Sequence, residues 1–162
     1  MRTMAFCTAA FLSLNALAQE EKPQAKEDSG EARILFACQV WHNGPGGAKV
    51  VETADAYTAL REKVTEISFP EGVRRADSVK LRELDEVDFD KHRVVLIWNT
   101  SMADEIRLAK ADSAQIIVEN VKTEANALQG SATMVVLQVA RGEKAPRVTW
   151  VGGAPKASRG GF

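Results

Sequence analysis

Beyond residue 18 the chain carries one cysteine and two histidines, side chains that serve as nucleophile, base or metal ligand: Cys38, His42 and His92. Cys38 and His42 stand four residues apart, which on an extended strand is about 13 Å at roughly 3.3 Å per residue. A base must come within about 3 Å of the thiol it activates. His42 therefore does not serve Cys38 from the same strand, and His92 would have to be delivered by the fold. Cys38 and His42 are spaced as helical ligands would be but lie on a segment that reads as a strand, and Cys-x-x-Cys is absent, so no metal site is predicted. Asp85, Glu86, Asp88 and Asp90 alternate in the manner of calcium ligands. A calcium loop counted from Glu86 needs Gly at its sixth position and Glu at its twelfth, where this chain has Lys91 and Ile97. The acidic run reads instead as a solvated turn. There is no Gly-x-Ser-x-Gly elbow. Gly44–Gly47 leads into Ala48-Lys49-Val50 rather than Gly-Lys-Ser/Thr, so it reads as a plain turn and not a phosphate loop. The sequence assigns no catalytic residue, metal or cofactor.

Aromatic anchors are the other resource. Trp41, Trp98 and Trp150 each fall at or near the end of a segment that reads as a strand. If those ends meet, the three indoles form an amphipathic binding patch with His42 and Asn99 as polar neighbours. Tryptophan is enriched at interface hot spots; burial of the same residues in a core is the competing reading.

The elements that would position these residues follow from periodicity. Ile34, Phe36, Cys38 and Val40 fall on one face of a strand over 33–41, and Leu35, Ala37, Gln39 and Trp41 on the other. Thr53 suits a helix N-cap and Asp55 the first helical turn. Tyr57, Leu60, Val64 and Ile67 then recur at helical spacing, which predicts a main helix over about 54–66. The spacing of 78–84 suggests a short helical turn. Val94–Trp98 is a continuous branched apolar run, the mark of a central strand buried on both faces. Ser101–Asp104 resembles a capping box before a helix over 102–110, although Ile106 and Leu108 alternate equally well in a strand. Runs at 115–121, 132–140 and 147–151 read as strands separated by turn residues. The expected fold is α+β: a mostly antiparallel sheet of about five strands with one helix packed on it.

Domain organisation and destination come from the ends and the bulk composition. Arg2, an uncharged run to Ala18 and the small-x-small sequence Ala16-Leu17-Ala18 predict a signal peptide over 1–18, cleaved before Gln19. Residues 19–31 lack a large apolar side chain and read as a flexible polar lead. Residues 32–152 form the expected single domain, and the glycine-bearing 153–162 a flexible tail. Removal of Cys7 with the leader leaves Cys38 alone, so no intrachain disulfide is predicted. The chain has 21 basic and 22 acidic residues, a formal net charge of −1. That interspersed balance gives no electrostatic footprint for nucleic acid or anionic lipid. Exported, periplasmic or secreted protein with no membrane insertion after cleavage is the expectation.

Two segments resemble the C-terminal domain of PrcB, an accessory subunit of a secreted bacterial protease complex. Val51-Glu52-Thr53-Ala54-Asp55-Ala56-Tyr57-Thr58-Ala59-Leu60 is similar to that family's lead into an early helix. Val87-Asp88-Phe89-Asp90-Lys91-His92-Arg93-Val94-Val95-Leu96-Ile97 is similar to its Val-Asp-Phe-x-Lys stretch feeding an apolar strand. In outline the likeness runs from Val51 to Val151, with Pro146 before the last strand. The family's Thr-Gly-Gly-Tyr-like turn after the strand is Asn99-Thr100-Ser101-Met102 here. The resemblance implies a non-catalytic protein-binding module without cofactor, and it transfers no individual functional residue. The favoured expectation is thus an exported non-enzymatic binding or accessory module whose partner is another exported or surface protein. A small exported enzyme built around Cys38, His42 and His92, and a structural envelope component, are the alternatives.

Overall fold

Val94, Val95, Leu96 and Ile97 are each at most 1% exposed, although their side chains point alternately to opposite faces of one strand. Such a strand needs apolar cover above and below. The structure, a computed structural model, describes residues 32–72, 74–123 and 128–156 and shows what supplies that cover. The predicted signal peptide, the polar lead and the last six residues of the tail lie outside the described residues.

In chain order the elements are β1 (Arg33–Trp41), β2 (Gly47–Val51), α1 (Ala54–Arg61), β3 (Thr65–Ser68), β4 (Asp77–Lys80), β5 (His92–Trp98), β6 (Glu105–Ala111), β7 (Gln115–Val121), β8 (Ser131–Ala140) and β9 (Arg147–Trp150). Six strands form one antiparallel sheet in the order β2-β5-β8-β1-β3-β4. The remaining three form a second sheet, β6-β7-β9, with β6 antiparallel and β9 parallel to β7. Val94 and Leu96 join Cys38, Val40, Met134 and Val136 in a core closed by Tyr57 and the half-buried Leu60 and Val64. Val95 and Ile97 join Val135, Leu137, Ile116 and Val118 in a second core, with Ile106, Leu108 and Trp150 packed against it. The large sheet is therefore the middle layer, with the helix on one face and the small sheet on the other.

This is a mostly β architecture with a single short helix among the described residues, and it corrects the expectation of one sheet of about five strands. The extra strands are short. β2 begins inside the glycine-rich stretch, and β4 carries one apolar residue and is exposed along its whole length. Their ladders with β5 and β3, rather than any periodicity of their own, make them strands.

The helix begins where expected: Thr53 Oγ1 accepts a hydrogen bond from the Ala56 amide at 3.2 Å. It ends at Arg61 rather than near residue 66. The Lys63 and Val64 amides both bond back to the Leu60 carbonyl, at 2.9 and 3.0 Å, and close the last turn. Thr65 and Ile67 are β-branched, and their segment pairs with β4 on one side and β1 on the other. Residues 78–84 form no helical turn: Asp77–Lys80 is strand, and Leu81 after it is fully buried. The alternative of a helix over 102–110 gives way to strand β6, whose Ile106 and Leu108 pack on the second core. In β1 the register slips between Ile34 and Phe36, a bulge at Leu35. Ile34 consequently lies 57% exposed, off the core face on which alternation had placed it.

Candidate functional site

Three of the five predicted binding residues converge. The Trp98 side chain, at the end of β5, lies edge-on to the His42 imidazole with ring centroids 5.8 Å apart. Its Nε1–H is 3.1 Å from His42 Nε2 and 3.2 Å from the Pro45 carbonyl oxygen, and His42 Nε2 is 3.1 Å from that same oxygen. The indole Nε1 always carries its hydrogen, so the tautomer of His42 decides whether its Nε2 accepts or donates here. With the imidazole proton on Nδ1, the indole donates to both acceptors. With Nε2 protonated, both rings donate to Pro45. In either state the indole orients the 42–45 loop.

The loop is fixed at both ends. The His42 amide donates to the Gly130 carbonyl, and the Gly46 amide to the Pro155 carbonyl, each at 2.8 Å. Gly130 has φ +75°, and a Cβ there would stand 2.4 Å from Asn43 Oδ1. At Gly47 a Cβ would meet the Trp98 ring at 3.1 Å, so the missing side chain lets the indole lie over β2.

Beneath Trp98 a groove of about 230 Å3 opens between β1, β2, β5 and the end of α1. Leu60, Val64, Leu96 and Met134 form its apolar walls, Trp41 lines it from the end of β1, and Lys49 and Lys63 stand at its rim. Trp41 is 39% exposed, and both lysines are exposed.

The other two predicted residues have different surroundings. Asn99 is fully buried. Its Oδ1 accepts from the Ser101 and Thr133 amides at 3.2 and 2.9 Å, and its Nδ2 donates to the Asp104 carbonyl at 2.8 Å. That carboxamide holds the turn after β5. Trp150 packs against the second core, across the sheet from the groove. Pro45, Lys49, Leu60, Lys63 and Val64 belong to the site without having been singled out. Nothing in the spacing of two lysines from different elements brings them together; only the β2–β5 ladder and the early helix end do.

The three residues of the enzyme alternative do not assemble. His92 and Trp98 occupy opposite ends of β5, six residues or about 20 Å apart in an extended strand, and His42 is at the Trp98 end. Cys38 is buried in the helix-side core. Its thiol is pushed up to about 12, chiefly because burial strips water from the thiolate, with the Glu66 carboxylate adding and Arg82 opposing. At neutral pH such a sulfur is protonated and a poor nucleophile. In the acidic turn, Asp88 pairs with Lys91 at 3.0 Å and accepts from the Asp90 amide at 3.0 Å. Those bonds, the lysine's first, lower its carboxyl below the usual range.

No helix among the described residues is long and apolar enough to cross a membrane. No protein family, curated protein or solved structure matches the chain.

Proposed function

We propose that this chain is an exported accessory module that binds another protein through the groove beside Trp98. The observation that carries the reading is the groove itself: two tryptophans and a histidine, brought from β1 and β5 onto an open apolar cleft. The bonds of the 42–45 loop hold His42 against Trp98, and Trp41 stays partly exposed beside them. A cleft of about 230 Å3 is smaller than the roughly 300–1,000 Å3 of sites that enclose a small-molecule ligand. It suits one inserted side chain of a larger partner. The sequence resemblance to the C-terminal domain of PrcB supports the same kind of role, and the pattern of residues 2–18 supports export.

The test is capture of partners by the immobilised chain from an exported or surface fraction, with Trp41→Ala in parallel and mass spectrometry as the readout. Truncating an anchor typically costs about 1–2 kcal/mol or more, so recovery of a specific partner should fall about tenfold. Trp41 is partly exposed, so this variant keeps the fold, and Trp98→Ala serves as the deeper second probe. Equal recovery with both variants rejects the groove as the binding site.

A further inference from the structure

We infer that the segment received by this groove is acidic: one bulky apolar side chain enters beside Trp98, and carboxylates flanking it meet Lys49 and Lys63. The inference rests on the binding reading above and goes further, to the chemistry of the partner.

Charge complementarity carries it. Lys49 and Lys63 come from different elements, an edge strand and the turn after the helix, and stand at the rim of one apolar cleft. Neither has a carboxylate partner among the described residues. Among the exposed lysines elsewhere, Lys80 pairs with Glu62 at 2.9 Å and Lys110 with Asp112 at 2.9 Å, whereas Lys122, Lys144 and Lys156 form no ion pair among the described residues; what sets Lys49 and Lys63 apart is that both flank one apolar cleft. Glu62 is next to Lys63 in sequence, yet both its oxygens are held by Lys80, at 2.9 and 3.2 Å. The groove lining contains no acidic side chain, so its titratable groups are His42 and the two lysines. Their aliphatic stems extend the apolar wall while the ammonium groups stay in water. A carboxylate arriving there gains an attraction that no group among the described residues already satisfies, whereas a basic segment meets like charge on both sides. The volume admits an aromatic or aliphatic side chain but not a folded surface. An extended segment with acidic residues on either side of one apolar anchor therefore matches both features.

The experiment uses three capped pentapeptides with the 15N-labelled full chain. They are acetyl-Glu-Asp-Phe-Asp-Glu-amide, its Lys-Arg-Phe-Arg-Lys counterpart, and the acidic peptide with Gly in place of Phe. The readout is the Trp98 indole N–H resonance, since that group lies in the groove. The acidic phenylalanine peptide should shift it and bind at least about tenfold more tightly than the basic one. Adding about 0.5 M salt should weaken that binding severalfold. Lys49→Glu together with Lys63→Glu should reverse the preference; both residues are exposed, and unchanged resonances elsewhere verify the fold. Equal binding of acidic and basic peptides overturns the inference, as does a Gly peptide that binds as well as the Phe peptide. If no peptide moves Trp98 while Trp41→Ala still lowers partner capture, the acidic partner is rejected and the binding reading stands. If Trp41→Ala and Trp98→Ala both leave capture unchanged, the binding reading itself falls.

Discussion

Trp98 and Asn99 are adjacent, and one sits at a groove while the other is locked inside a turn. Burying a carboxamide is unfavourable unless its atoms are bonded, and all three bonds of Asn99 run to backbone groups of the 101–104 turn and β8. It is consequently a fold residue. Cys38 is the same kind of case with a titrating group. Burial raises its thiol from an ordinary 9.0 to about 12, and raises the Tyr57 hydroxyl from 10.0 to about 12, again chiefly by burial. In both, folding favours the neutral form. Their stabilising contribution is complete below the unfolded values and is lost as pH rises from about 9 toward 12. The folded chain should thus react slowly with a thiol reagent at pH 7.5 and rapidly in urea. Its urea midpoint should fall between about pH 8.5 and 10.5, and more steeply than that of a Cys38→Ala, Tyr57→Phe variant. Fast labelling of the native thiol, or identical pH slopes, would show the thiol to be solvated.

At the scale of elements, the start of α1 rests on one side chain. Thr53→Ala removes the acceptor for the Ala56 amide and should destabilise the chain by about 1 kcal/mol in urea unfolding, whereas Thr58→Ala, exposed on the helix, should change it little. That start was legible because capping is local chemistry. The end was not: Leu60, Val64 and Ile67 keep helical spacing, but Val64 packs from the turn after the helix and Ile67 from a strand. The sequence distance between β3 and its partner β1 hides the competition that decides the matter. Branched runs made β5, β7 and β8 legible, since continuous apolar stretches need burial wherever they sit. Edge strands β2 and β4 were not, since their ladders carry what their composition does not. The site divides the same way. Trp41, His42 and Trp98 could be grouped by their positions at strand ends, but Trp150 shares that feature and packs on the opposite side of the sheet. Lys49 and Lys63 become neighbours of one cleft only through tertiary pairing.

For the whole molecule, the decisive arrangement is a six-stranded sheet whose central strands are covered on both faces, because it gives consecutive residues of β5 separate cores. Leu96 belongs to the helix-side core and Ile97 to the core under the small sheet. A two-layer fold, with one helix on a sheet whose far face meets water, would leave one of the pair near neutral on truncation. Here each is at most 1% exposed, and each removal opens a cavity among packed neighbours. Leu96→Ala and Ile97→Ala should each cost about 2–5 kcal/mol. The two losses should differ in their wider effect. Leu96 also lines the groove, so its truncation should shift the Trp98 indole resonance, while Ile97→Ala leaves that resonance in place. Ile97→Ala should instead perturb Trp150, which packs on the same core. Urea unfolding of both variants, with the two indole N–H signals followed by NMR, measures all of these expectations at once. A near-neutral Ile97→Ala would remove the second sheet as a structural layer. A Trp98 signal that responds equally to both variants would show that the middle sheet does not separate the groove from the core behind it.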